Sequence, residues 1–119
     1  MLEVFFEADE ALRASDGRKA RPRQPDAIRP FFEHQLATDP ASSIGAIDHG
    51  RLVAYGRVTV RDGVGFLSEL FVLPRWQSRG IGRAVLRACL AGAGASRVAT
   101  CVDAVQPVST GLYASLGIA

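Results

Sequence analysis

"LFVLPRWQSRGIGRAVL", Leu70 to Leu86, holds the change of structure that decides the fold of this chain. Leu70 to Leu73 is an apolar, strand-like run closed by Pro74, and the Gly-Arg stretch from Gln77 to Arg83 opens an apolar helical repeat. The first amides of a helix have no partners within it, and the macrodipole adds partial positive charge at the same end. Gly80 and Gly82 have no Cβ, so a phosphate can approach the backbone closely. Arg79, Arg83 and Arg87 recur every four residues and line one helical stripe, a rim for further phosphates. The bland alternative is an ordinary helix start with solvated arginines.

Two familiar phosphate loops do not fit. A Walker loop needs Gly-Lys-Ser/Thr, whereas Gly82 is followed by Arg83 and Ala84. A dinucleotide fingerprint needs a third glycine where Val85 stands, and a βαβ unit around it.

Upstream, "LEVFFEADEALRA" (2–14) places Leu2, Phe5, Phe6 and Leu12 on one face of an amphipathic helix. "SDGRKARPRQP" breaks it. Asp26 is then in place to cap a second helix, "DAIRPFFEHQLAT", with Ile28, Phe31, Phe32 and Leu36 as its apolar side. Pro30 is awkward there, so the regular part is expected to begin near it. "SIGAI" and "RLVAYGRVTV" read as strands joined by a "DHG" turn, and "RDG" leads into a third strand, "VGFLSELFVL". After the Gln77 helix, which ends at "GAGA", come a strand, "SRVATCV", and a short helix, "QPVSTGLYASLG", closed by Gly117. The order is ααβββαβα, an α+β fold with a central, mostly antiparallel sheet flanked by helices. No repeat or linker divides it, so residues 1–119 form one domain.

Composition narrows the function classes. With 119 residues, 48% apolar and 22% charged, the chain is ordinary for a soluble globular domain. No apolar run approaches the roughly 18 residues that span a bilayer, and the start lacks a signal-peptide pattern, so the cytoplasm is the default compartment. A net charge of +2 does not demand a polyanionic partner. "RKARPR" is a basic loop, but no aromatic residues interleave to stack bases, so it reads as a solvated loop rather than a nucleic-acid site. Cys89 and Cys101 have no Cys or His at metal-ligand spacing and read as small buried hydrophobes; no metal site is expected.

Val72, Pro74, Gln77, Gly80 and Gly82 resemble the acyl-CoA-binding segment of the GNAT acyltransferase superfamily: a strand ending in V-x-P, then Q/R-x-x-G-x-G/A and an apolar helix. "QPVSTGLYASLGI" is similar to that family's closing helix, with Gln106 and Ser109 at positions often held by Asn and Ala. The resemblance implies that acetyl-CoA is the co-substrate. Its pyrophosphate would lie on the amides of Ser78, Arg79, Gly80, Ile81, Gly82 and Arg83, next to Gln77. Its pantetheine arm would run beside Leu70, Phe71 and Val72 as an added strand does. Gln106 and Ser109 would add further cofactor contacts.

The implied activity is transfer of the acetyl group to a primary amine of a small molecule or peptide. That reaction needs a neutral amine, a stabilised oxyanion and a protonated leaving thiolate. Tyr113 matches the family's usual proton donor, a phenol near pKa ~10; the alternative is a core tyrosine. The Val72 amide is the implied oxyanion donor. Glu69, three residues earlier, is a candidate base acting directly or through water, or else a solvated strand residue or a structural partner of an arginine. His34 and His49 are weaker candidates. Cys101 occupies a strand position where some relatives carry a catalytic Glu.

The family pattern usually adds a strand before the first helix and two after the last. Relative to it, this chain reads as trimmed or as part of something longer, and exposed sheet edges predict a homo-oligomer or a missing flanking segment. A catalytically silent acyl-CoA-binding or regulatory module, such as half of a tandem protein, is the alternative function.

Overall fold

The computed structural model describes residues 1–100 and 107–118, the side chains of 107–110 excepted. Its elements follow the expected order: α1 (Leu2–Ser15), α2 (Pro25–Thr38), β1 (Ser43–Asp48), β2 (Arg51–Arg61), β3 (Val64–Val72), α3 (Ile81–Ala93), β4 (Arg97–Thr100) and α4 (Pro107–Ser115). The described sheet runs β1-β2-β3-β4. Its first three strands are antiparallel, and β4 lies parallel to β3 because α3 carries the chain back across the sheet. Both hairpins turn on two residues of positive φ, His49–Gly50 and Asp62–Gly63, the turn geometry whose twist matches the strands.

Two apolar clusters hold the layers together. On one face, Ala54, Val58 and Leu67 pack against Val85, Leu86 and Cys89 of α3, joined by Ile118 after α4. On the other, Val53, Tyr55 and Leu73 meet Val4 of α1 and Phe32 of α2. β3 contributes to both faces through a bulge. The pairing slips from Arg57–Glu69 to Val58–Leu67, leaving Ser68 as the extra residue. Leu67 therefore shares a face with Leu70 and Val72, while Phe71 joins the α1/α2 cluster. Strict alternation would have put Leu67, Glu69 and Phe71 together.

Two expectations for α2 need correction. The helix starts at Pro25, a position that suits proline, and it continues through Pro30; its N-cap is Gln24, not Asp26. Its buried side chains are Phe32 and Gln35, while Phe31 and Leu36 are 53% and 40% exposed. Gln35 is drawn inward because its amide oxygen accepts from the buried Arg57 guanidinium. A hydrogen bond to a charged donor outweighs the burial of one more leucine.

Candidate functional site

A cleft of about 610 Å³ opens beside the C-terminal half of β3. Leu70, Phe71 and Val72 form its floor, and the Gln77–Arg83 loop closes one end. α1 supplies one wall through Ala8, Ala11, Leu12 and Ser15, which recur at helical spacing; Leu112 and Tyr113 of α4 supply the other.

The loop end presents backbone donors. Gly80 caps α3 at φ 81°, a left-handed conformation that glycine adopts without strain. No side chain caps the helix, and its first internal bond runs from the Ala84 amide to the Gly80 carbonyl at 3.1 Å. The amides of Ile81, Gly82 and Arg83 consequently have no partner within the helix. A Cβ on Gly82 would meet only Val72 Cγ2, at an ordinary 3.5 Å, so the protein's own packing does not require glycine there. Ser78 holds φ 62°, unusual for a residue with a Cβ.

The floor exposes backbone. Leu73 donates to the Val53 carbonyl at 2.9 Å, and antiparallel pairing alternates such bonds. With Tyr55 opposite Phe71 and Ala54 opposite Val72, the amides of Leu73 and Phe71 point toward β2. Those of Leu70 and Val72 point the other way, into the cleft. At the far wall, Gly117 turns the chain so that the Ile118 amide reaches the Tyr113 carbonyl at 3.0 Å, and the buried Ile118 anchors α4 to the core.

Not every expected residue gathers here. Gln77 and Ser78 line the cleft with Gly80, Gly82 and Arg83, but the Arg79 guanidinium lies 4.9 Å over the Trp76 ring and the Ile81 side chain packs on the core. His34 and His49 are exposed and away from the cleft. Gln106 and Cys101 lie outside the described residues, as does the Ser109 side chain.

Glu69 departs most from expectation. The bulge puts it on the α1/α2 side of the sheet, where its Oε1 accepts from Arg57 Nη1 at 3.0 Å. Arg57, fully buried, also donates to Ser43 Oγ and Gln35 and lies under the Phe32 ring. Burial pushes the Glu69 carboxyl above its ordinary pKa, against the pull of Arg57. Its Oε2 and the neighbouring Tyr55 hydroxyl are buried without a hydrogen bond of normal geometry. Burial and the adjacent carboxylate also push the Tyr55 phenol far upward, so it stays protonated. Glu69 is thus a partner of an arginine, one of the alternatives the sequence left open, and it is not among the described residues lining the cleft.

Sequence reasoning missed Arg57 and the α1 wall. An arginine in the middle of the mostly apolar β2, away from its two ends, was the available signal for the first. Three arginines of the basic loop pair with carboxylates within the chain, Arg21 with Asp9, Arg23 with Glu10 and Arg18 with Asp16. The Cys89 thiol is buried and pushed up to about 11, as expected of a packing residue. Among the described residues no metal-ligating cluster forms, and no helix is long and apolar enough to cross a membrane.

The sequence pattern of the acetyltransferase (GNAT) family matches residues 6–118. No curated protein matches the chain. Among solved structures, PH1933 from Pyrococcus horikoshii OT3 superposes with a TM-score of 0.76 at 20% identity, over 98% of this chain and 76% of that one. A PaiA N-acetyltransferase from Thermoplasma acidophilum, in complex with coenzyme A, gives 0.73 at 14% identity, over 97% and 79%. The ribosomal-protein-S18-alanine N-acetyltransferase from Escherichia coli gives 0.69 at 21%, over 98% and 70%. At these identities the likeness establishes the fold.

Proposed function

The chain belongs to the GNAT acetyltransferase family, and from that premise we propose that it binds acetyl-CoA along β3 and passes the acetyl group to a primary amine of a small molecule or peptide. The reading rests on one observation: a single cleft joins the unpaired amides of the α3 start, the outward amides of Leu70 and Val72, and Tyr113. The pyrophosphate takes the loop amides from Ser78 to Arg83, with the Arg83 charge beside them. The pantetheine arm adds to the edge of β3 at Leu70 to Val72.

In the reaction, the neutral amine attacks the thioester carbonyl and the C–S bond breaks. The Val72 amide stabilises the oxyanion, and Tyr113 gives its phenolic proton to the departing thiolate. The proton lost by the amine returns through solvent. Glu69, held by Arg57, braces the strand instead of carrying that proton.

One observation favours a second reading, a silent acyl-CoA-binding module. No carboxylate or imidazole is among the described residues lining the cleft, so no base stands ready there. Calorimetry and turnover, measured together, decide. Parent protein should bind CoA, and Gly82→Asp, which puts a carboxylate where the pyrophosphate belongs, should not. Tyr113→Phe should keep CoA affinity and lose about 10²-fold in turnover. Equal CoA affinity in parent and Gly82→Asp would sink the site; tight binding without turnover on any amine would establish the silent module.

A further inference from the structure

Every carboxylate on the described elements that build the cleft already holds an arginine. On α1, Glu3 pairs with Arg51, Glu7 with Arg75, Asp9 with Arg13 and Arg21, and Glu10 with Arg23. Asp16, just past α1, pairs with Arg18, and Glu69 of β3 with Arg57. The Gln77–Arg83 loop, α3 and α4 carry no acidic residue, and none of these elements carries a histidine. Among the described residues lining the cleft, Arg83 and Tyr113 alone are titratable. Ala8, Ala11, Leu12, Leu70 and Leu112 give the space they share with Tyr113 an apolar surface. Such walls neither take a proton from an ammonium nor solvate its charge. The incoming amine must therefore be neutral before it enters. At pH 7 an α-amino group, with a pKa near ~7.8, is neutral about 300 times more often than an alkyl amine near ~10.4.

We propose that the acceptor is a weakly basic amine on an apolar group: an α-amino group beside an amide carbonyl, as in an amino-acid amide or at a peptide N-terminus. This rests on the acetyl-CoA reading above and narrows its substrate. The neutral nitrogen attacks the thioester carbonyl, the N–C bond forms and the C–S bond breaks. Tyr113 gives its proton to the thiolate, the nitrogen loses one to water, and water reprotonates Tyr113. The substrate's own low basicity stands in for a protein base. An acceptor with further positive charges would find Arg83 in the cleft and no carboxylate among the described lining residues, so polyamines are poor substrates.

The test compares leucinamide, the peptide Leu-Gly-Gly and isopentylamine, which share one apolar side chain. With parent protein and saturating acetyl-CoA, kcat/KM for each is followed from about pH 6 to about pH 9, across the α-amine pKa and below that of the phenol. At pH 7 the better of leucinamide and Leu-Gly-Gly should exceed isopentylamine by about tenfold or more. That is less than the difference in neutral population, because a more basic neutral amine is the better nucleophile. Which of the two leads tells a small molecule from a chain terminus. The profiles of both should level off near pH ~8, while that of isopentylamine should still be rising at pH ~9. Isopentylamine equal to or better than both at pH 7 would overturn the proposal. So would a break at one common pH for all three, which would assign the proton to a protein base such as Asp103, outside the described residues. No turnover on any of the three, with CoA bound in calorimetry, overturns it too and leaves the CoA site standing. A parent that binds no CoA would instead bring down the reading on which it rests.

Discussion

At the residue scale the most consequential side chain is Arg57. A fully buried guanidinium costs several kcal/mol of lost hydration unless its partners hold, and here Glu69, Gln35 and Ser43 supply them. Removing one partner of such a pair costs about 3–5 kcal/mol, because the other charge is left uncompensated. Glu69→Ala should therefore lower stability by about that amount in urea unfolding. Glu69→Gln should cost less, since its amide oxygen still accepts from Arg57. The pH dependence follows from the raised carboxyl. The folded state holds this proton more tightly than the unfolded chain, so Glu69 favours folding below the ordinary carboxylate pKa and loses that contribution as pH rises through the raised value. Glu69→Gln should abolish that part of the stability slope. An unaltered slope would mean that Glu69 is more hydrated than its burial indicates.

At the scale of elements, α3 is the piece on which the site depends. Its first turn closes the loop end of the cleft and its last turn crosses the Pro40–Ser42 turn ahead of β1. The crossing is close: a Cβ on Gly92 would stand 1.8 Å from the Ala41 carbonyl oxygen, and backbone is what it meets. Alanine is otherwise the better helix former by about 0.8–1.0 kcal/mol. Gly92→Ala should nonetheless destabilise the protein by about 2 kcal/mol or more, since α3 must lift off the sheet to relieve the overlap. Thermal unfolding checks the sign. A variant as stable as the parent would show that α3 slides freely along the sheet, and the loop amides would then have no fixed position.

At the scale of the whole molecule, the described sheet ends in β1 and β4, and apolar side chains are exposed near those edges. Val64 and Phe66 of β3 are 50% and 43% exposed, and Ile47 on β1 is 64% exposed. Edge amides and carbonyls beside such side chains favour pairing with a second copy. The expected outcome is a self-associating chain, most simply a two-fold dimer, seen by light scattering as a mass that rises with concentration. A constant 12.7 kDa at high concentration would show the edges to be protected.

Much of this protein was decided by chemistry local in sequence. Element order, the two hairpins and the start of α3 at the Gly-Arg loop follow from apolar periodicity and from glycines at positive φ, while the cleft positions of Leu70 to Val72 came from the family resemblance. Such features depend on residues a few positions apart, so the chain alone carries them. The family followed from the same stretch. Other features belong to the tertiary structure, because they join residues far apart along the chain. The extra residue at Ser68 puts Glu69 on the opposite face from the one it would share with Leu67 in a regular strand, and no two-residue repeat reveals a bulge. Burial of Gln35 in place of Leu36 depends on Arg57, 22 residues further on. The α1 wall at Ala8 and Ala11 depends on how that helix lies across β3. That Glu69 meets Arg57 was therefore decided by packing, since one bulge reverses the face of every residue beyond it.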